Sequence, residues 1–286
     1  MAERNVSEVV VLANSSKHDV GLVASRITGC LNEMGIRSRV IMLSSSLEDL
    51  STDVPRCDLA ISLGGDGTVL ACAVLLKGRG VPILAVNMGT FGFIAETSVD
   101  EVETVLGEYM DGKTGVLSRM MLDVRVFRKG KEVFSACSLN DVTVSAVSHA
   151  RMAKLDLFLD GILAANLRAD GMIMATPTGS TAYSLSAGGP IIDASLEAII
   201  INPICPFTMS VRPLVVNADS EIKLLVPRQN TGMSLTCDGH QVFSLSESDE
   251  ISVRQCKDRA LFVENKRRRF IEVLRDKLAW AGGFNA

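Results

Sequence analysis

Leu59-Ala60-Ile61-Ser62-Leu63-Gly64-Gly65-Asp66-Gly67-Thr68 is the stretch that decides the fold. An apolar, strand-like run enters a glycine turn, and Thr68 to Leu76 then reads as a helix ended near Gly78. Upstream, Val9 to Leu12 is a buried-strand run. Val20, Val23, Ala24, Ile27, Leu31 and Met34 share one helical face, and Gly35 stops that helix. Val40 to Leu43 is a second strand, and Val81 to Val86 follows the glycine turn as another. Strand and helix alternating in this way predict a parallel sheet covered on both faces.

Further along, Ser98-Val99-Asp100-Glu101 is a capping box that opens an amphipathic helix through Val102, Val105 and Leu106. After about Arg119 the period becomes two. Leu122, Val124 and Val126 alternate with polar neighbours up to the turn Arg128-Lys129-Gly130-Lys131. Leu155, Leu157 and Leu159 alternate up to Asp160-Gly161, a second hairpin signal. Ile222 to Val226, Leu235 to Cys237, Val242 to Leu245, Ile251 to Val253 and Leu261 to Val263 continue the series. Short strands at this spacing predict a sandwich or compact β-domain. Phe270, Ile271, Val273, Leu274 and Leu278 make a last helix.

Composition narrows the classes. In 286 residues, 47% are hydrophobic and 22% charged, which excludes disorder, collagen and coiled coil. The net charge of −4 gives no positive field for nucleic acid. Mean hydropathy is +0.27, but the longest uncharged stretch, Gly171 to Ile192, is too rich in Gly, Pro, Ser and Thr to span a membrane. No signal peptide opens the chain, and seven scattered cysteines form no C-x-x-C pair, so a reducing, cytoplasmic setting is expected.

The glycine turn is also the sharpest chemical signal. Glycines let backbone approach phosphate oxygens, and a helix start offers free N–H groups and a positive dipole end. Gly64, Gly65, Gly67 and Thr68 are therefore phosphate-binding candidates. An acid weakens an anion site unless it does chemistry there, and Asp66 can take a proton from a hydroxyl, hold a metal ion, or both. The plainer alternative is a tight turn that merely needs glycine. Gly107 to Thr114 matches G-x-x-x-x-G-K-T, but a helix precedes it and a strand follows, so Gly112-Lys113 reads as a helix C-cap. Asn140-Asp141 can hydrogen-bond two ribose hydroxyls, and equally reads as a turn. From Asp170-Gly171 an apolar strand leads into Thr176-Pro177-Thr178-Gly179-Ser180-Thr181-Ala182-Tyr183-Ser184-Leu185-Ser186-Ala187-Gly188-Gly189-Pro190. Small residues there admit a flat ligand, and the hydroxyls supply donors and acceptors. Lys266 to Arg269 reads as a solvated helix face, the cysteines as core residues and Trp280 as packing.

Together, the Gly64 to Thr68 turn, Asn87 to Phe93, Asn140-Asp141, the Thr176 to Pro190 run and Cys237-Asp238-Gly239 resemble the NAD kinases over nearly the whole chain. The resemblance implies transfer of the terminal phosphoryl group of ATP or polyphosphate to the 2′-hydroxyl of the adenosine ribose of NAD, giving NADP. It implies a Rossmann-like α/β domain over residues 1–97 and a β-sandwich-like, NAD-binding domain over 98–265, with the final helix, 266–286, returning to the first. By motif match Asp66 is the proton acceptor, and Gly67, Asn140, Asp141, Arg151, Arg168, Asp170, Thr181, Ala182, Tyr183, Ser184, Leu185, Ser186 and Gln241 join it as substrate contacts. A divalent cation, Mg²⁺ in kind, and a homo-oligomer, dimer or tetramer, with NAD sites near subunit contacts are also implied. This sequence has Asp141 where the family commonly has Glu, and Ala169 where Gly is usual before Asp170. Val74 stands where a basic residue is expected, with Lys77 and Arg79 nearby. A lipid kinase sharing the glycine turn and a non-catalytic NAD- or NADP-binding module are the alternatives.

Overall fold

The computed structural model describes residues 4–44, 52–89, 92–147, 152–208, 210–227 and 232–278. Two units divide the chain, residues 1–118 with 260–286, and residues 119–259.

In the first unit β1 (Glu8–Asn14) leads to α1 (Val20–Glu33), which buries Val20, Ala24, Ile27 and Leu31. These side chains recur at the spacing of one helical face. Then come β2 (Arg37–Leu43), β3 (Leu59–Gly64), α2 (Asp66–Leu75), β4 (Ile83–Asn87) and the two-residue β5 (Thr97–Ser98). The capping box forms: Glu101 Oε2 accepts from both the N–H and the hydroxyl of Ser98, at 2.9 Å each. Beyond it run α3 (Val102–Met110) and β6 (Val116–Arg119). Gly112, at φ +69°, ends α3 as the sequence predicts. Residues 98–118 lie in the first unit, past the boundary at 97 drawn from the sequence. Val102, Val105, Leu106 and Tyr109 of α3 join Val9, Val11, Ile27, Leu31, Ile61 and Leu63 in one core.

The second unit is all antiparallel sheet. Its strands are β7 (Leu122–Arg128), β8 (Lys131–Ser138), β9 (Asp141–Ala146), β10 (Ala153–Leu159), β11 (Ile162–Ala169) and β12 (Gly171–Ala175). A 3₁₀ turn, Thr178–Thr181, and the single-turn α4 (Tyr183–Ser186) follow. After them come β13 (Ala198–Ile204), β14 (Leu214–Asn217), β15 (Ile222–Leu225), β16 (Met233–Cys237), β17 (Gln241–Leu245) and β18 (Glu250–Gln255). They form two six-stranded sheets, ordered β11-β10-β15-β18-β7-β8 and β14-β13-β12-β9-β16-β17. Val124, Leu155, Leu224 and Ile251 from one meet Val144, Met172, Met174 and Leu235 from the other in a shared core. That is the expected sandwich. On the far face of β12, Ile173 and Ala175 pack with Ile192 and Ile200, so this strand is buried on both sides.

The chain then returns. β19 (Ala260–Val263) pairs parallel with β4, and α5 (Phe270–Leu278) follows. This corrects the placement of Leu261 to Val263 in the β-rich series: the strand extends the first unit's sheet, ordered β2-β1-β3-β4-β19-β6 with β5 beside β4. β13 and β14, which the hydrophobic periodicity does not reveal, complete one face of the sandwich.

Candidate functional site

In the first unit the strand order reverses at β1, which has β2 on one side and β3 on the other. Ligands of open α/β sheets bind beyond the carboxyl ends of the strands at such a switch point. The glycine turn lies there, between β3 and α2. The first N–H groups of α2 have no carbonyl one turn earlier to bond, which leaves Gly65, Asp66 and Gly67 to present theirs. Thr68 is 1% exposed, and its hydroxyl accepts from Asn14 Nδ2 at 3.4 Å. It braces the turn from beneath.

Asp66 is half-buried, and its carboxylate gathers one loop. Phe93 N–H donates to Oδ2 at 2.8 Å, while Ile94 and Ala95 donate to Oδ1 at 3.2 and 2.9 Å. A Cβ on Gly92 would stand 1.7 Å from Oδ1, so only glycine lets this backbone come so close. Asn87 holds the loop from behind, accepting from Gly89 N–H at 2.8 Å and donating to the Ala95 carbonyl at 3.4 Å. Thr90 and Phe91 of the same motif lie outside the described residues. Lys17, which carries no motif in the sequence, leaves the end of β1 and brings Nζ within 3.8 Å of where a Gly89 Cβ would be. Since β3 lies between β1 and β4, this side chain crosses the end of β3 and adds a positive charge there. The Arg79 guanidinium is turned to the Val54 carbonyl.

In the second unit three of the sequence segments converge at one end of one sheet. Asp141 opens β9 opposite Ala175, the last residue of β12, and Val142 faces Cys237, the last of β16. Thr176 ties the first two segments together: its N–H donates to the Asn140 carbonyl at 2.9 Å and its hydroxyl to the Leu139 carbonyl at 2.6 Å. Gly179 then passes so close that a Cβ would sit 2.1 Å from the Asn140 oxygen. Among the described residues, Asn140 Oδ1 and Thr178 Oγ1 are buried here without a hydrogen-bond partner. Buried polar atoms left unpaired are costly, and a ligand can satisfy both, Asn140 Oδ1 as an acceptor and the Thr178 hydroxyl as donor or acceptor.

Asp238 comes from the turn between β16 and β17. Asp238 and Gly239 take φ +50° and +70°, the left-handed pair of a tight hairpin turn. Its carboxylate accepts from the N–H groups of Leu139, Asn140 and Asp141 at 2.8, 2.8 and 3.1 Å, and from the Ser138 hydroxyl. Burial lifts the Asp141 carboxyl to about 7; the neighbouring Asp238 adds to the rise and a hydrogen bond from Thr143 opposes it. Burial raises Asp238 as well, against the pull of its four donors.

The other candidates divide. Thr181, Ala182 and Leu185 are half-buried and Tyr183 and Ser186 exposed along the rim of the Thr176 segment. Ser184 is turned inward, where Asn202 Nδ2 donates to its carbonyl at 2.9 Å. Gln241 opens β17 opposite Cys237, at the same end of the sheet. Arg168 and Asp170 lie elsewhere: Asp170 precedes β12, whose first residue, Gly171, faces Ser145 at the far end of β9. Five strand residues put roughly 13 Å between the two ends. Arg151 lies outside the described residues, as do His149 and Trp280. Among the described residues no group of three or more His, Cys, Asp or Glu side chains could hold a metal ion. No described helix is long and apolar enough to cross a membrane.

Comparison with known proteins matches most of the chain to one family. Residues 17–114 match the ATP-NAD kinase N-terminal domain and residues 139–265 the ATP-NAD kinase C-terminal domain. An NAD kinase of Geobacter sulfurreducens is 42% identical over 229 residues, 80% of this chain and 81% of that protein. One of Treponema denticola is 36% identical over 280 residues, 97% and 98% of the two chains. Among solved structures, yeast NADH kinase complexed with NADH superposes with a TM-score of 0.88 at 26% identity, covering 99% of this chain and 90% of that one. An NAD kinase from Archaeoglobus fulgidus in complex with ATP gives 0.75 at 26% identity, with 93% and 97% covered.

Proposed function

The chain belongs to the NAD kinase family, and from that premise we infer that it transfers the terminal phosphoryl group of ATP to the 2′-hydroxyl of the adenosine ribose of NAD, yielding NADP. The observation that carries this reading is the corner where Asn140-Asp141, Thr176 to Gly179 and Asp238 meet, with two buried polar atoms left for a ligand.

In this reading positioning and charge stabilisation do most of the work, because phosphoryl transfer asks little covalent help of a protein. Asn140 and Asp141 bind NAD, Asn140 Oδ1 and Thr178 Oγ1 accepting its N–H or O–H groups. The N–H groups of Gly65 and Gly67 face donor phosphate oxygens, with Lys17 balancing their charge. A carboxylate offers about four acceptor positions, of which the loop N–H groups take three. Oδ2, bonded only to Phe93, keeps the free one and receives the proton of the reacting hydroxyl. A divalent cation would supply neutralisation of the donor's phosphate charge, and Asp66 is the acidic side chain of the turn that would stand beside it. The setting is the cytoplasm. Asp170 stands at the far end of β12 and Arg168 on β11 of the other sheet; in this reading both contribute to a nucleotide held at the corner of a second copy in a homo-oligomer.

Incubating the purified chain with NAD and ATP and detecting NADP with an NADP-specific dehydrogenase tests the reaction. Parallel arms with polyphosphate, NADH and a diacylglycerol vesicle distinguish the alternatives. Asp66→Asn should lower kcat by about 100-fold or more, the usual worth of a general base, with NAD affinity kept. NAD binding without any NADP would instead make this a binding module.

A further inference from the structure

Asp238 is 9% exposed, yet its carboxylate reaches no cation among its bonded partners. Each partner belongs to one four-residue stretch, Ser138 to Asp141. The turn that carries Asp238 is tied to the same stretch in return, since its own N–H donates to the Asp141 carbonyl at 2.9 Å. Ser138 completes the tie: its hydroxyl lies within hydrogen-bond reach of both the Asp238 carboxylate and, at 2.7 Å, the Asp141 carbonyl, with one proton to share between them. Three successive N–H groups aimed at one carboxylate fix the backbone where β8 passes into β9. That backbone sets the direction of the Asn140 and Asp141 side chains, and Asn140 Oδ1 is the buried acceptor left without a partner among the described residues.

We propose that Asp238 is the positioning residue of nucleotide recognition, clamping Ser138 to Asp141 so that Asn140 and Asp141 are presented to NAD without Asp238 touching it. The proposal rests on the reading of Asn140-Asp141 as nucleotide contacts. A second carboxylate so near Asp141 would be a poor choice for mere bracing. It adds to the rise that burial imposes on the Asp141 carboxyl, because like charges in a buried site oppose each other. Among the described residues the groups that bear on Asp141 are Asp238, the Thr143 hydroxyl and the Cys237 thiol, and none of these three is cationic.

Asp238→Asn keeps the shape and one acceptor oxygen but sets an amide N–H₂ against an N–H donor. NAD affinity, measured by equilibrium titration without ATP, should fall about tenfold, the cost of one lost charge-assisted bond. KM for NAD should rise in step while KM for ATP and kcat stay within about twofold, inside the scatter of such contributions. The pH at which NAD affinity turns over should move lower in this variant, since Asp141 loses a like-charged neighbour. Ser138→Ala removes one donor only and should give a smaller shift of the same kind, which keeps the test open if Asp238→Asn does not fold. Unchanged NAD affinity in a folded Asp238→Asn protein, or equal losses in the ATP and NAD parameters, overturns the proposal alone. A wild-type chain that binds no NAD overturns the functional reading with it.

Discussion

Gly92 shows how one residue can be dictated by another far from it in sequence. Asp66 needs the N–H groups of Phe93 to Ala95, and the loop delivers them only by laying its backbone against the carboxylate. Gly92→Ala therefore has to displace Asp66 or the loop. We expect kcat to fall by at least about tenfold, in the range lost when a catalytic group shifts by an ångström, with the far-ultraviolet circular dichroism unchanged. A fully active Gly92→Ala protein would mean that the observed Asp66 position is not the working one. Asp141 yields a pH prediction of definite sign. Its carboxyl sits at about 7 in the fold, against about 3.9 in an unfolded chain. Between those values the folded protein keeps a proton that the unfolded chain has released, so stability falls as pH rises, by at most about 1.4 kcal/mol per unit. Above the folded value the loss is complete and the profile flattens. Melting temperatures from pH 5 to 8 should thus decline more steeply in the wild-type protein than in Asp141→Asn. Parallel profiles would show that Asp141 does not titrate in that window.

At the scale of elements, the box at Ser98 and Glu101 starts the helical segment that carries α3 into the first core. Ser98→Ala should cost about 1 kcal/mol, as lost N-caps do, and lower the melting temperature without touching turnover. An unchanged melting temperature would make the box ornamental. Elements with a strong local signal are legible from sequence: α1 through its apolar face, the hairpins through Lys129-Gly130 and Asp160-Gly161, and β3 through its run into glycine. β13 escapes such a reading although Ile199-Ile200-Ile201 is a plain buried run, because Asn202-Pro203 interrupts it. The structure accommodates that proline since β14 pairs only Ala198 to Ile201, leaving one side of the strand free beyond. β19 has the pattern of any short strand; its partner, β4, is far away in sequence, and no periodicity reports a partner. The glycine turn and Asn140-Asp141 are visible as motifs. Asp238 is visible only as part of one, since its role consists of bonds to residues about a hundred positions earlier.

For the whole molecule, the decisive question is whether one chain holds a complete nucleotide site. Asp141, just after Asn140, opens one end of the β9–β12 pairing; Asp170 adjoins the other end, and Arg168 lies on β11 opposite Lys154 of β10, in the other sheet. No side-chain rotation spans the length of β12. Where Asp170 serves the same group of NAD as Asn140 and Asp141, a second copy has to supply it, and a symmetric dimer supplies both halves twice over. Complementation tests this directly. Asn140→Ala and Asp170→Ala proteins should each be nearly inactive alone, and dissociating and reassembling them together should restore turnover. In a heterodimer, one site pairs the intact corner of one copy with the intact Asp170 of the other, while its twin collects both lesions. With random reassembly half the dimers are mixed and half their sites intact, so recovery should approach about a quarter of wild-type activity. Recovery near zero, in assemblies shown to be mixed, would mean that Asn140 and Asp170 act from the same chain, and would overturn the shared site.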